Sequence, residues 1–126
     1  MIEVPVSWGE LVDKITILEI KNERITDADK RANVATELEL LRGRLAGVRL
    51  DDAVRATTAA LKRVNEELWD IEDEIRDQER AGTFGARFIE LARAVYRTND
   101  RRMDLKRAIN VALGSAIHEE KSYQPY

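Results

Sequence analysis

The chain has 126 residues, a formal charge of −3 and no cysteine, a length that suits one domain able to bury a core without staples. That charge denies it the basic field needed for nucleic acid or an anionic membrane surface, and the missing cysteine excludes disulfides, thiolate zinc sites and thiol nucleophiles. Charged residues at 36% with only 6 Gly and 2 Pro favour an all-α fold, and with neither a leader pattern in Met1 to Ser7 nor an apolar run of bilayer length, a cytoplasmic location is expected.

Ile2 to Val6 alternate apolar and polar residues. Pro5 lacks an amide donor and pushes Val4 toward extended geometry, so residues 1–7 read as an arm or edge strand. Ser7 with Glu10 three residues later forms a capping box that opens a helix from Trp8 to Arg24. Its stripe is Trp8, Leu11, Val12, Ile15 and Leu18, while Ile17 and Ile20 fall on the opposite side near Asp13 and Arg24. Such a helix is either central to a bundle or turned toward another subunit.

Thr26 followed by Asp27 and Asp29 caps a second helix carrying Val34, Leu38, Leu41 and Leu45, with Gly47 as its terminator. From Leu50 to Asp52 the chain restarts, and Val54, Thr57, Leu61, Val64, Leu68, Ile71 and Ile75 recur at spacings of three and four. That is a coiled-coil-like seam, running to about Arg80. Gly82, Thr83, Phe84 and Gly85 make the clearest turn, after which Phe88, Leu91, Val95, Leu105, Ile109, Ala112 and Leu113 return antiparallel and stop at Gly114.

The expected architecture is therefore a helical bundle built on a long antiparallel hairpin. Its parts are an arm (1–7), a first helical pair (8–47), the hairpin (51–114) and a C-terminal strap (115–126), anchored by Ile117, Tyr123 and Tyr126. The stretches IEVPVSWGELVDKITILEIK (2–21), RFIELARAVYRTNDRR (87–102) and EEKSY (119–123) together resemble a family of small bacterial proteins known as a domain of unknown function. The resemblance spans nearly the whole chain, implies an all-helical protein, and assigns a catalytic role to no position.

Several constellations bear on chemistry. Glu66, Asp70, Asp73 and Asp77 line one face of the third helix, as in all-helical pyrophosphohydrolases that bind magnesium. The fourth helix, however, sets Arg93 one turn after Glu90 where a second carboxylate is needed, so a solvated charged face is the better reading. His118 has no second histidine to form a metal pair. Leu11, Asp13, Ile15, Leu18 and Arg24 loosely resemble the first helix of the all-helical chorismate mutases, whose paired aspartates reduce here to Asp13 alone.

The fourth helix also carries Arg93, Arg97 and Arg101 on one face with Arg102, Lys106 and Arg107 nearby, cations able to hold a phosphate or carboxylate, but the interleaved i,i+3 pairs with acids make ordinary surface pairing the better reading. Folding the hairpin at Gly82 to Gly85 sets Arg102 opposite Val64 and Asn65, and Thr98 opposite Leu68. Asn65, Thr98, Asn99 and Arg102 then form one polar layer in an apolar seam. That layer is either a register device or an anion pocket in which Arg102 holds the ligand while Asn99 and Tyr96 orient it. A buried guanidinium needs a carboxylate, with Asp13, Glu19 and Glu67 as candidates, or a ligand.

The leading expectation is a non-enzymatic interaction or scaffold protein acting as a homodimer, with no metal, cofactor, nucleic acid or membrane insertion implied. The competing expectation is a ligand-binding module or enzyme for a phosphorylated or carboxylated small molecule. It would use Arg102, Asn99, Thr98, Tyr96, Asn65 and Arg97.

Overall fold

Four helices account for the computed structural model, which describes residues 1–126: α1 (Trp8–Arg24), α2 (Ala28–Leu45), α3 (Asp52–Ala81) and α4 (Ala86–Leu113). Local chemistry sets most of their ends. Ser7 Oγ accepts from the Glu10 amide at 3.1 Å and Asp51 Oδ1 from the Val54 amide at 2.8 Å, each satisfying an orphan donor of a first turn. At the start of α2 the cap is Asp27, accepting from the Lys30 amide at 2.9 Å, rather than Thr26 before it. Gly82 and Gly114 close α3 and α4 with φ of 68° and 64°, a region that favours glycine. Gly47 also has positive φ, but α2 already ends at Leu45.

The α3 and α4 helices pack along their length in antiparallel register. Arg87 pairs with Glu74 and Arg101 with Glu67, so contacts that advance along α4 recede along α3. Against the base of this hairpin lies α1, which touches all three other helices, whereas α2 touches α1 alone. Leu11, Ile15 and Leu18 pack on Val34 and Leu38 of α2. On the other side of α1, Val12 packs on Leu61 and Ile109, and Ile20 is only 1% exposed. Of the second face of α1, Ile20 is thus buried within the chain and not available to another subunit as the sequence had allowed, while Ile17 is half-buried.

The C-terminal strap differs from expectation in how it is held. Ile117 and Tyr123 are exposed and anchor nothing. The strap attaches through polar pairs instead: Lys106 with Glu119 at 2.7 Å, Arg107 with Glu120 at 3.7 Å, and the Tyr126 hydroxyl donating to Asp100 at 2.7 Å beside the Tyr96 ring. No helix is long and apolar enough to cross a membrane.

Candidate functional site

The chemistry concentrates where α1 crosses the hairpin. Asp13 of α1 is 1% exposed, and a carboxylate so buried must be paired and hydrogen-bonded. Arg102 of α4 supplies the charge through two bonds, Nε to Oδ1 at 3.0 Å and a guanidinium NH2 to Oδ2. Asn65 of α3 donates to the same Oδ1 at 2.9 Å and to Thr16 Oγ1 at 3.0 Å, while that hydroxyl donates to the Asp13 carbonyl at 2.8 Å. The forked pair raises the affinity of Arg102 for its proton, first through the Asp13 hydrogen bond and against the opposing effect of burial. No buried side-chain polar atom in the chain lacks a partner, so the layer is internally satisfied.

One turn along α4, Lys106 is 6% exposed and bridges three segments. Its Nζ lies 2.7 Å from Glu10 of α1 and 2.7 Å from Glu119 of the strap. Burial by itself lowers the lysine pKa, but hydrogen bonds to Glu10 and Glu119 outweigh it and leave the pKa raised. Lys106 in turn holds the Glu119 carboxyl below its usual range.

A further turn on, α4 caps α1 from outside. The Gly9 amide donates to Asn110 Oδ1 at 2.7 Å and the Trp8 amide to Ser115 Oγ at 2.9 Å. Together with the Ser7 cap, this satisfies three of the orphan donors of α1. The approach is close enough to require glycine, because a Cβ on Gly9 would collide with the Lys106 carbonyl oxygen and lie 2.8 Å from Asn110 Oδ1.

Of the residues singled out in the sequence, the fold brings Arg102 and Asn65 together on Asp13. Thr98 is buried and Asn99 half-buried. Tyr96 stands apart, its ring 5.0 Å from that of Tyr126. Arg97 is exposed on a groove of about 380 Å³ with Arg93, Arg101, Glu67 and Glu90. The acidic face of α3 is spread among cations, with Asp70 on Arg24 at 2.6 Å and Asp77 on Arg80 at 2.8 Å. Asn110, Ser115 and Gly9 were not read from the sequence, and Lys106 entered only as one of the cations of α4 able to hold an anion, not as the partner of Glu10 and Glu119. The available signals were a lysine one turn beyond Arg102 and a glycine in a first helical turn.

A second feature lies at the start of α1. Met1, Ile2, Val4 and Val6 of the arm and Leu40 of α2 are exposed apolar side chains, Ile2 at 87% and Val4 at 67%. With Trp8, Leu11 and Leu41 they line a groove of about 460 Å³ rimmed by Glu3, Lys14 and Arg44. Glu3 and Arg44 pair across it.

Residues 2–126 match the sequence profile of a family of unknown function, DUF6165. The chain belongs to this family. No curated relative and no solved structure matches it. The DUF6165 profile takes in the arm, the polar layer and the strap, so all three features lie within the family's extent.

Proposed function

We propose that this member of DUF6165 is a non-enzymatic helical interaction or scaffold protein that assembles with itself as a homodimer in the bacterial cytoplasm. The observation that carries the proposal is the arm surface, where Met1, Ile2, Val4, Val6 and Leu40 expose apolar side chains around one groove. Contiguous apolar surface of this kind marks association sites in soluble proteins. The internal closure of the Asp13 layer supports the same reading. Arg102 spends its fork on Asp13, and Asn65 is engaged by Asp13 and Thr16, an arrangement suited to fixing helix register. Light scattering on the full chain at micromolar concentration should return twice the mass of a single chain. The mass of one chain alone would overturn self-assembly.

A second reading has one observation in its favour. Arg93 and Arg97 form no ion pair, although they line the groove with Thr98 and Arg101, and two unpaired guanidinium groups suit a phosphate or carboxylate ligand. A thermal-shift series with inorganic phosphate, nucleotides, sugar nucleotides and dicarboxylates tests it. Stabilisation by several degrees that is abolished in Arg93→Ala/Arg97→Ala would favour this class over the scaffold.

A further inference from the structure

We propose that the face of α4 around Lys106 and Arg107 is a binding site for an acidic peptide segment of a partner protein, and that the chain's own strap fills it as an exchangeable stand-in. This surface is separate from the arm and does not depend on self-assembly.

Lys106 is the centre of the site. A lysine so little exposed is costly unless paired, and Glu10 of α1 already pairs with it at 2.7 Å. The second partner, Glu119 at 2.7 Å, comes from the strap. Lys106 first, and Arg102 at longer range, hold the Glu119 carboxyl below its usual range against the opposing effect of burial. The next residue on each side pairs as well, Glu120 with Arg107 at 3.7 Å. Two adjacent carboxylates therefore meet two adjacent cations. With the strap lifted, the three cations of this network, Arg102, Lys106 and Arg107, would face two carboxylates, Asp13 and Glu10. The vacated face calls for an anion.

The strap is held in a way that permits exchange. Residues 116–126 are all exposed and take part in no backbone–backbone hydrogen bond. Besides the two acidic pairs, only Tyr126 fastens them, its hydroxyl donating to Asp100 at 2.7 Å beside the Tyr96 ring. Exposed polar pairs contribute little one by one. What keeps the strap in place is its short tether to Gly114, which gives it an effective concentration on the order of 1 mM. A free segment with the same groups competes at that level.

The spread of the contacts selects a peptide. Tyr96, Asp100 and Arg107 recur at spacings of four and seven, one stripe along the helix. From Asp100 to Lys106 the helix rises about 9 Å, at roughly 1.5 Å per residue. A small dianion covers one end of that stripe. An extended chain with two neighbouring carboxylates and a tyrosine further on reaches both ends.

The test uses a fluorescent peptide with the sequence of residues 116–126 and follows its anisotropy against the full chain. The peptide should bind Glu119→Gln/Glu120→Gln about ten times more tightly than wild type, the ratio by which a strap at about 1 mM excludes a ligand with a Kd of about 0.1 mM. Equal affinity for the two proteins overturns the site beneath the strap, and no binding to the variant at about 1 mM overturns it altogether. A peptide with both glutamates replaced by glutamine should not bind; if it does, the acidic class is wrong. Adding Arg107→Ala, at an exposed side chain, should weaken the variant's binding severalfold, and unchanged affinity overturns the placement on α4. Glutarate that displaces the probe as readily as unlabelled peptide does would overturn the peptide in favour of a small dicarboxylate.

Discussion

The two ends of the α3–α4 hairpin are written in the same seam pattern and are physically different. At the base, α1 covers the seam: Leu61 and Ile109 are completely buried and Val64 nearly so. At the far end α1 reaches no further than Arg24, which pairs with Asp70 and lies over the Trp69 ring. Between Leu68 and Glu90 no residue is buried, and Leu68, Ile71 and Ile75 are only half-shielded by α4. What binds this end is peripheral: the exposed pair of Arg87 and Glu74, and the edge-on contact of Phe84 with Phe88 at 5.2 Å. A heptad-like repeat specifies which residues face one another, but burial needs a third element, and α1 ends well before the turn at Gly82.

The contrast is broken most directly by truncating the seam at each end. Leu61→Ala should cost about 4 kcal/mol, within the range for a fully buried aliphatic side chain, whereas Ile75→Ala should cost about 1 kcal/mol because water already reaches it. Urea unfolding midpoints compare the two, and equal losses would mean that the far end is covered in solution. Arg102→Leu comes next. Leaving Asp13 buried without its cation should cost about 3 kcal/mol, or about 10 °C in melting temperature. Adding Asp13→Asn should recover most of that loss, because the uncompensated charge is then gone. If Arg102→Leu melts like the wild type, the polar layer contributes nothing to the base.

The smallest expected effect concerns the strap. Glu119 has a lowered pKa, so its contribution is present above the ordinary glutamate value of 4.5 and fades as pH falls through the lower folded value. Lys106 has a raised pKa, so its contribution is complete below 10.5 and fades as pH rises through the higher folded value. Between those limits the strap should resist proteolysis evenly. Glu119→Gln should release it across that range for less than about 1 kcal/mol of stability, since the Glu119 side chain is 40% exposed and screened by solvent. Cleavage after Gly114 at the same rate in both proteins would show that the clasp does not hold the strap.

The helices were legible in the sequence because their ends are set by neighbours in the chain. Ser7 with Glu10, Gly82 and Gly114 act within a few residues, and period and caps suffice to place them. The facing of Arg102 and Asn65 was legible too, because a hairpin with a marked turn fixes its own register. The contributions of α1 were not. Asp13 was one of three carboxylates able to answer Arg102, and choosing it requires knowing how α1 lies on the hairpin. Lys106 looked like one more cation in a charged helix, since its partners Glu10 and Glu119 lie in segments that no local rule relates to it. Ile117 and Tyr123 misled in the opposite sense, being apolar residues that the strap leaves in water.

The capping of α1 by α4 also bears on how the protein is made. The Gly9 amide finds its acceptor on Asn110, 101 residues further along. At synthesis rates of about 5–20 residues per second, α1 waits on the order of 5–20 s after emerging before that acceptor exists. During that interval its α2-facing side can already pack, since Val34 and Leu38 follow within one helix, while Val12, Asp13, Thr16 and Ile20 have only the growing hairpin to await. The nascent chain therefore carries a buried-type aspartate in the open until its arginine is translated, and the base of the bundle closes late, when the end of α4 clears the ribosome.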